Sequence, residues 1–533
     1  MDDLALLETS HPVGEMSNDD ISSLKNQDIP CDTFAGIVHV EWDEQAPVTP
    51  MGQLVFFTQF LKTCNLYAPW VQDCPLKYTS PNAPSKEDVL GTLLLAVLSG
   101  QKRYAHITSI RQDMLNPPLL GMKKVLSEDS ARRAFQKIEA ETCKRWQQKH
   151  LNYCYEPLLL EKWILDIDTT IKPLYGHQEG AEICYNPSKP GRPAHAIHTY
   201  SMAETRLILD CEVTSGIQQS ATYSLPRLIE IIDELPLEKR PSLIRGDCAF
   251  GNENTLAPLE VRNMQYLFKI KQTKRAKALT QFLTKSDGKW IDAGQGWEGI
   301  ESSLQLSGWS KDRKVIVLRR KLREKKQKTK KKKDQLCFPF LEFVKNSDEY
   351  EFAVLVTSLE ADIVTIAQLY RDRATSENHF DELKNQWGWG GFVTQDLKRS
   401  QIMARITAQI YNWWTLFVRW LDPEKHAEAI TSRPLMLYGV AVGSKHAGQR
   451  KIRITPMHGK ARGNSEKATF ISSILSKIKR VAEQFTPLEI WTRVLSMIFI
   501  KFLKGRILGD RNLNKHDAML DFCGWPKLLP GGL

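Results

Sequence analysis

Long apolar runs are missing from this sequence. No stretch reaches the ~18 apolar residues that a membrane-crossing helix needs, and the longest candidates, Gly91–Ser99 and Met497–Leu503, read as buried helix. Closely spaced cysteines are missing too. The ten fall at 31, 64, 74, 143, 154, 184, 211, 248, 337 and 523, so no Cys-x2-Cys zinc site exists. Thiols scattered this way point to a reducing cytoplasm. The opening Met1-Asp2-Asp3 lacks the basic and apolar stretches of a signal peptide, in keeping with that location. There is no internal repeat. Apolar residues make up 42% of the chain and aromatics 9%, enough to build real cores, which excludes a fibrous or disordered chain. At 533 residues, two to four domains are expected.

Charge is present in excess and unevenly placed. Lysine and arginine number 73 against 62 acids, a net of +11. Residues 1–46 hold eleven acids and one base, Lys25, whereas Arg319–Lys333 holds eleven bases and one acid, Glu324. These two segments cancel, so the rest of the chain carries the whole +11. A basic body suits a polyanionic partner, most often nucleic acid. The acidic tail is expected to be disordered and the lysine tract to be a solvated loop.

The hydrophobic periodicity divides the chain. Residues 1–50 form the acidic tail, and 51–150 read as a helical, DNA-binding domain with helix starts at Ser85 and Ser127. The helix after Ser127 carries Arg132, Arg133 and Lys137. From Trp163 the pattern turns to strands: WILDID, then a hairpin in HAIHTYSMAETRLILDCEVTSG, a helix in SLPRLIEIIDEL, a strand in RPSLIRGDCAFG, a helix in NENTLAPLEVRNM and a strand in QYLFKIKQ. Three paired strands followed by strand–helix alternation predict an α/β mixed sheet flanked by helices over 160–272. Residues 273–349 read as a β-rich insertion with the basic loop. Residues 350–420 complete the α/β domain, and 421–533 read as a helical region for dimerisation or DNA contact.

Two acids, Asp168 and Asp247, end two of the strands, where a carboxylate projects into the cleft above a sheet. Neighbouring strands lie about 5 Å apart, close enough for such acids to share a metal ion. One continuous helix is expected from about Asp362 to Trp387. On it Tyr370, Arg373, Glu377 and Lys384 fall within a stripe about 60° wide and about 21 Å long. Leu369, Phe380, Leu383 and Trp387 form the adjacent apolar face. An acid flanked by two cations and a phenol suits a phosphate backbone beside a metal site. Asp381 is a rival third acid on the same stripe.

The spacing Tyr370-x2-Arg373-x3-Glu377-x6-Lys384 resembles the Y-R-E-K signature of DDE-type bacterial insertion-sequence transposases. LDIDTT and IRGDCAFG resemble the family's first and second aspartate strands. YGHQEGAEICYNPSKPGRPAHAIH resembles the segment of a subgroup typified by Y-N-P-x-K-x-G-R-P. The resemblance covers residues 51–460. It implies an RNase H-like fold with a β-rich insertion, and an enzyme that cuts the terminal inverted repeats of its element and joins the 3′-OH ends to target DNA. Asp168, Asp247 and Glu377 would hold two Mg2+ ions, with Mn2+ as a substitute. Asp166 alternates with Asp168 as first acid; Asp168 is preferred because the family's acid lies immediately or one residue before threonine. Tyr370, Arg373 and Lys384 would contact terminal phosphates, and Arg132 and Arg133 the DNA. Trp297, with Trp290 and Trp309 beside it, would stack a flipped base in relatives that form hairpin ends. A homodimer on double-stranded DNA is implied. The rival readings are an RNase H-like nuclease and an inert DNA-binding derivative.

Overall fold

The computed structural model describes residues 29–40, 43, 45–78, 80, 82–186, 189–286, 288–321, 350–423, 426–455, 461–504 and 506–508. Side chains 374–377 lie outside that description, as do most of the acidic tail and the lysine tract from 322. The described chain opens with a small hairpin, β1 (Ile29–Thr33) and β2 (Gly36–Val40), and a short strand, β3 (Val48–Thr49). Five helices follow: α1 (Leu54–Thr63), α2 (Tyr67–Asp73), α3 (Lys86–Leu98), α4 (Glu128–Arg133) and α5 (Ala140–Tyr155). Ser85 and Ser127 cap α3 and α4 by accepting from the backbone N–H three residues on, as their sequence positions predicted. The helix expected to run on from Ser127 stops at Arg133 and resumes at Ala140.

The sheet begins with β4 (Ile164–Pro173), β5 (Glu182–Ile183), β6 (Pro193–Met202) and β7 (Ile208–Ser215). The next elements are α6 (Ala221–Glu234), β8 (Leu243–Gly246), α7 (Glu253–Val261), β9 (Tyr266–Lys269) and α8 (Lys274–Lys285). β6 lies antiparallel between β4 and β7, while β8 and β9 run parallel to β4 on its other side. The insertion supplies β10 (Ile291–Gly294), β11 (Trp297–Leu304) and β12 (Arg313–Lys321). These do not fold apart from the sheet. Through β13 (Tyr350–Thr357), which pairs with β9, they continue it into ten strands in all. This is the α/β class expected: a mixed sheet with helices, enlarged by a β-rich insertion.

Two helices stand where one was expected. α9 (Ile363–Arg371) and α10 (Ala374–Gln386) are separated by a turn at Asp372 and Arg373, closed by a bond from the Arg373 N–H to the Tyr370 carbonyl. Then come α11 (Leu397–Leu421), α12 (Ala429–Met436), β14 (Val440–His446), β15 (Gln449–Thr455), α13 (Ala461–Val481) and α14 (Pro487–Ile498). β14 pairs with β15 and β3 in a separate three-stranded sheet, so the region read as helical from 421 onward contains a hairpin. α11 is buried almost along its length and gathers the N-terminal helices around it. Phe57 of α1 meets Trp414 edge-on at 5.2 Å, and Trp70 of α2 meets Trp413 at 5.3 Å.

One buried charge ties these layers together. Asp210 on β7 accepts from Arg227 of α6 (2.8 Å), Arg405 of α11 (2.7 Å) and Gln148 of α5 (2.9 Å). Burial works to raise its carboxyl, but Arg405 and Arg227 override it and hold it at about 2. Asp210→Ala would leave the buried Arg405 guanidinium without its acid and Arg227 with only Glu230 and Glu234. The expected cost is about 3–5 kcal/mol, read from the urea unfolding curve. The wild-type contribution should be complete above about pH 4 and be lost as pH falls through the depressed value. A variant as stable as wild type at neutral pH would contradict this.

Candidate active site

Strand alternation puts Asp166, Asp168, Thr170 and Lys172 on one face of β4, with Leu165 and Ile167 buried on the other. In the parallel ladder Asp166 stands opposite Arg245 of β8. The ladder ends at that pair: Asp168 lies further along β4, while Asp247 is the first residue past the end of β8, close enough for its charge to act on Asp168. Gly246, the last residue of β8, is closely packed. A Cβ there would come within 2.9–3.1 Å of Phe250, Ile167 and Phe268.

The two candidates for first acid have different surroundings. Asp166 is 4% exposed and is taken up by Arg245 in a two-pronged ion pair of 2.7 and 2.8 Å. Arg245 also donates to the Leu369 carbonyl of α9. Asp168 is 17% exposed at its side chain; it accepts from the Thr169 N–H at 2.8 Å and from the Arg373 guanidinium. Asp247 caps its own turn by accepting from the Ala249 N–H at 2.8 Å. Arg245 was not foreseen from the sequence. Its signal was there: Asp-x-Asp on one parallel strand faces Arg-x-Asp on the next.

Burial pushes the Asp168 carboxyl up to about 7, against the pull of Arg373 and with the repulsion of Asp247. The same charges reach the helical side of the site. Tyr370 is raised by burial, with Asp247, Cys248 and Asp168 nearby. Burial works to lower Arg373, but Asp168, Tyr370, Asp247 and Asp166 together raise it. Lys384 is lowered by burial, with Asp381 and Asp168 pulling it back. Asp168, Asp247, Tyr370, Arg373 and Lys384 therefore share one electrostatic neighbourhood. Glu377 sits on the first turn of α10, between Arg373 and Lys384 in sequence, and its side chain lies outside the described residues. Among the described residues no three His, Cys, Asp or Glu side chains gather as a metal site. Two neighbouring carboxylates, one raised by burial and by the other's charge, suit a hard divalent cation with oxygen ligands.

Several expectations are corrected. The stripe of four does not lie along one exposed rim, because the helix breaks at 372–373. Tyr370 (3% exposed) and Arg373 (4%) are buried, Tyr370 in an apolar cluster with Ile363, Ile366 and Trp297. Trp297, expected as a stacking platform, is a core residue here whose ring is covered by Arg320 at 4.8 Å. Trp309 is likewise buried, and Arg319 lies 3.9 Å from the ring of Trp290. Arg132 and Arg133 are exposed at the end of α4, where both pair with Asp129. Asp381, the rival third acid, is exposed and accepts from Asn385 on its own helix at 2.7 Å.

A buried acid missed by sequence reading anchors α10. Glu382 is 1% exposed and accepts from His426 (2.7 Å), Trp387 (3.1 Å) and the Ala429 N–H at the start of α12 (3.1 Å). It stands about 140° around the helix from Glu377, so it can hold α10 from behind while the other face meets the sheet.

The family described as Transposase DDE domain group 1 matches residues 78–453. A comparison with curated proteins finds no match. Among solved structures, the chain is similar to a piggyBac transposase synaptic complex with hairpin DNA, determined by cryo-EM. Identity is 12%, coverage is 91% of this chain and 89% of that one, and the TM-score is 0.31. At that score the similarity places no residue of the site.

Because the charge of Asp247 helps to raise Asp168, Asp247→Asn should lower the pH at which Asp168 titrates, followed by 13C NMR of the labelled carboxylates in metal-free protein. An unchanged midpoint would show that the two acids do not face one another.

Proposed function

Because the chain belongs to the transposase family of DDE domain group 1, we propose that it binds the terminal inverted repeats of a bacterial insertion sequence. It would cleave at the element ends and join the 3′-OH ends to target DNA, cut and paste. The observation that supports the reading is that Asp247, just past the end of β8, lies close enough for its charge to act on Asp168 of the adjoining β4, both within the matched residues. Asp168 and Asp247, with Glu377 from α10, are the residues that would hold two Mg2+ ions, with Mn2+ as a substitute. When bound, such ions supply Lewis-acid charge for an in-line displacement at phosphorus.

The chain's own groups do the positioning. Arg373 restrains the Asp168 side chain from the helical side, and Arg245 removes Asp166 from competition. Lys384, kept near Asp168 in a partly buried setting, adds positive charge where a scissile phosphate would lie. Arg373 becomes available for a terminal phosphate once the charge of Asp168 is neutralised. Tyr370 packs beneath these groups and fixes the α9 end of the turn. The fold that presents them is read as RNase H-like, and Arg132 and Arg133, exposed at the end of α4, would contact DNA. Two element ends must be joined, which calls for a homodimer on the DNA. Among the described residues no helix is long and apolar enough to cross a membrane; the site of action proposed is the bacterial nucleoid.

In a strand-transfer assay with labelled end DNA and Mg2+, the wild type should attach the label covalently to target DNA. Nicked product without joining would instead indicate a nuclease. Asp168→Asn and Asp247→Asn should each abolish cleavage while end binding survives. Asp166→Asn should keep cleavage but unfold at lower urea, since Arg245 loses its charged partner. Loss of cleavage in a folded Asp166→Asn protein, with activity retained in Asp168→Asn, would reverse the assignment.

A further inference from the structure

From Ala429 to Ser465 the sequence contains no acid, and the structure folds the middle of this stretch into the β14–β15 hairpin. Its base is packed: Ala441 and Gly443 are buried, and a Cβ on Gly443 would meet Leu115 at 2.4 Å and Pro47 at 3.4 Å. Beyond Gly443 every residue of β14 is exposed, and β15 is exposed at Gln449, Arg450, Lys451 and Arg453. The strands turn at Ala447 and Gly448, both at positive φ (48° and 77°), the left-handed two-residue tip that matches strand twist. The result is a narrow ribbon whose seven-residue strands span about 23 Å.

The charges on this ribbon are costly as they stand. Lys445 lies directly opposite Arg450 in the ladder, and like charges so placed destabilise a strand pair. Lys451 and Arg453 follow on the other face, opposite Ser444 and Val442. Among the described residues none of these four cations forms an ion pair, in a protein where Arg227, Arg245, Arg313, Arg373 and Arg405 all do. Lysines can simply guard a sheet edge against pairing. That role does not require two cations on the inner strand and its neighbour to face each other, nor an unbroken absence of acids.

We propose that the β14–β15 hairpin is a DNA-binding ribbon that enters the major groove of duplex DNA, with Lys445, Arg450, Lys451 and Arg453 on flanking phosphates. The groove is about 12 Å wide and admits a two-stranded ribbon. The inference rests on the transposase reading and adds to it a grip on DNA separate from the three acids.

The test uses the full chain and a fluorescein-labelled random-sequence duplex, with affinity measured by anisotropy over a range of salt. Replacing Lys445, Arg450, Lys451 and Arg453 together by alanine should make the slope of log K against log salt shallower by about 3 to 4. Arg450→Lys with Arg453→Lys should leave the slope unchanged. A photo-crosslinking p-benzoylphenylalanine in place of Gln449, in an otherwise wild-type chain, should capture the duplex. Dimethyl sulfate should find guanine N7 protected by the wild type. An unchanged slope in the alanine variant, or no crosslink from position 449, would overturn the proposal and leave the cations as edge protection. A wild type with no affinity for DNA at any salt would overturn the transposase reading as well.

Discussion

The parallel pairing of β4 with β8 is the constraint from which the site follows. Its register joins Asp166 to Arg245 and ends there, leaving Asp168 further along β4 and Asp247 just past the end of β8, near enough to act on Asp168 by its charge. The first pair is opposite in charge and buried; the second is alike in charge and partly open to solvent. A strand alternation of two residues thus separates a structural ion pair from a pair of acids suited to a cation. Gly246 at the end of β8 is packed closely by Phe250, Ile167 and Phe268. The enlarged sheet on the far side of β9 and the helices around α11 hold the two strands in place.

The helical side of the site is shaped by the same charges. Arg373 is buried against Asp168, and a buried guanidinium is tolerated because it has that acid as partner. Its position coincides with the turn between α9 and α10, so the break in the helix and the ion pair belong together. α10 then starts beside the sheet with Glu377 on its first turn, while Glu382 fastens the helix to α12 through His426 and the Ala429 N–H. Tertiary charge pairing, more than helix propensity, sets where α10 begins.

Much of this was legible in the sequence, for physical reasons that can be named. Short apolar runs gave the strands β4 and β8, with Asp247 just past the end of β8, but Asp168, expected at a strand end, lies in the middle of the ten-residue β4; serines before acidic turns gave the starts of α3 and α4. The helix break was not legible: no proline or glycine lies between Asp362 and Gln386, and the cause is a contact with a residue about 200 positions away. The burial of Trp297 was hidden for a similar reason, since it depends on α9 packing over β11. The choice between Asp166 and Asp168 could have been read from Arg245, had the two strands been set in register first. The β14–β15 hairpin carried its own signal, a period of two around Ala-Gly, but the amphipathic helix that follows it dominated the reading of that region. That the insertion strands extend the main sheet depends on the edge offered by β13, which no local pattern encodes.

The account turns on Asp168, Asp247 and Glu377 sharing one cation site. Crystals of the chain with its end DNA, soaked in Mn2+ and measured at the manganese absorption edge, test this most directly. The account predicts anomalous peaks bounded by carboxylate oxygens of all three residues, with none at Asp166. Manganese bound elsewhere, or at the two aspartates with Glu377 turned away, would contradict it.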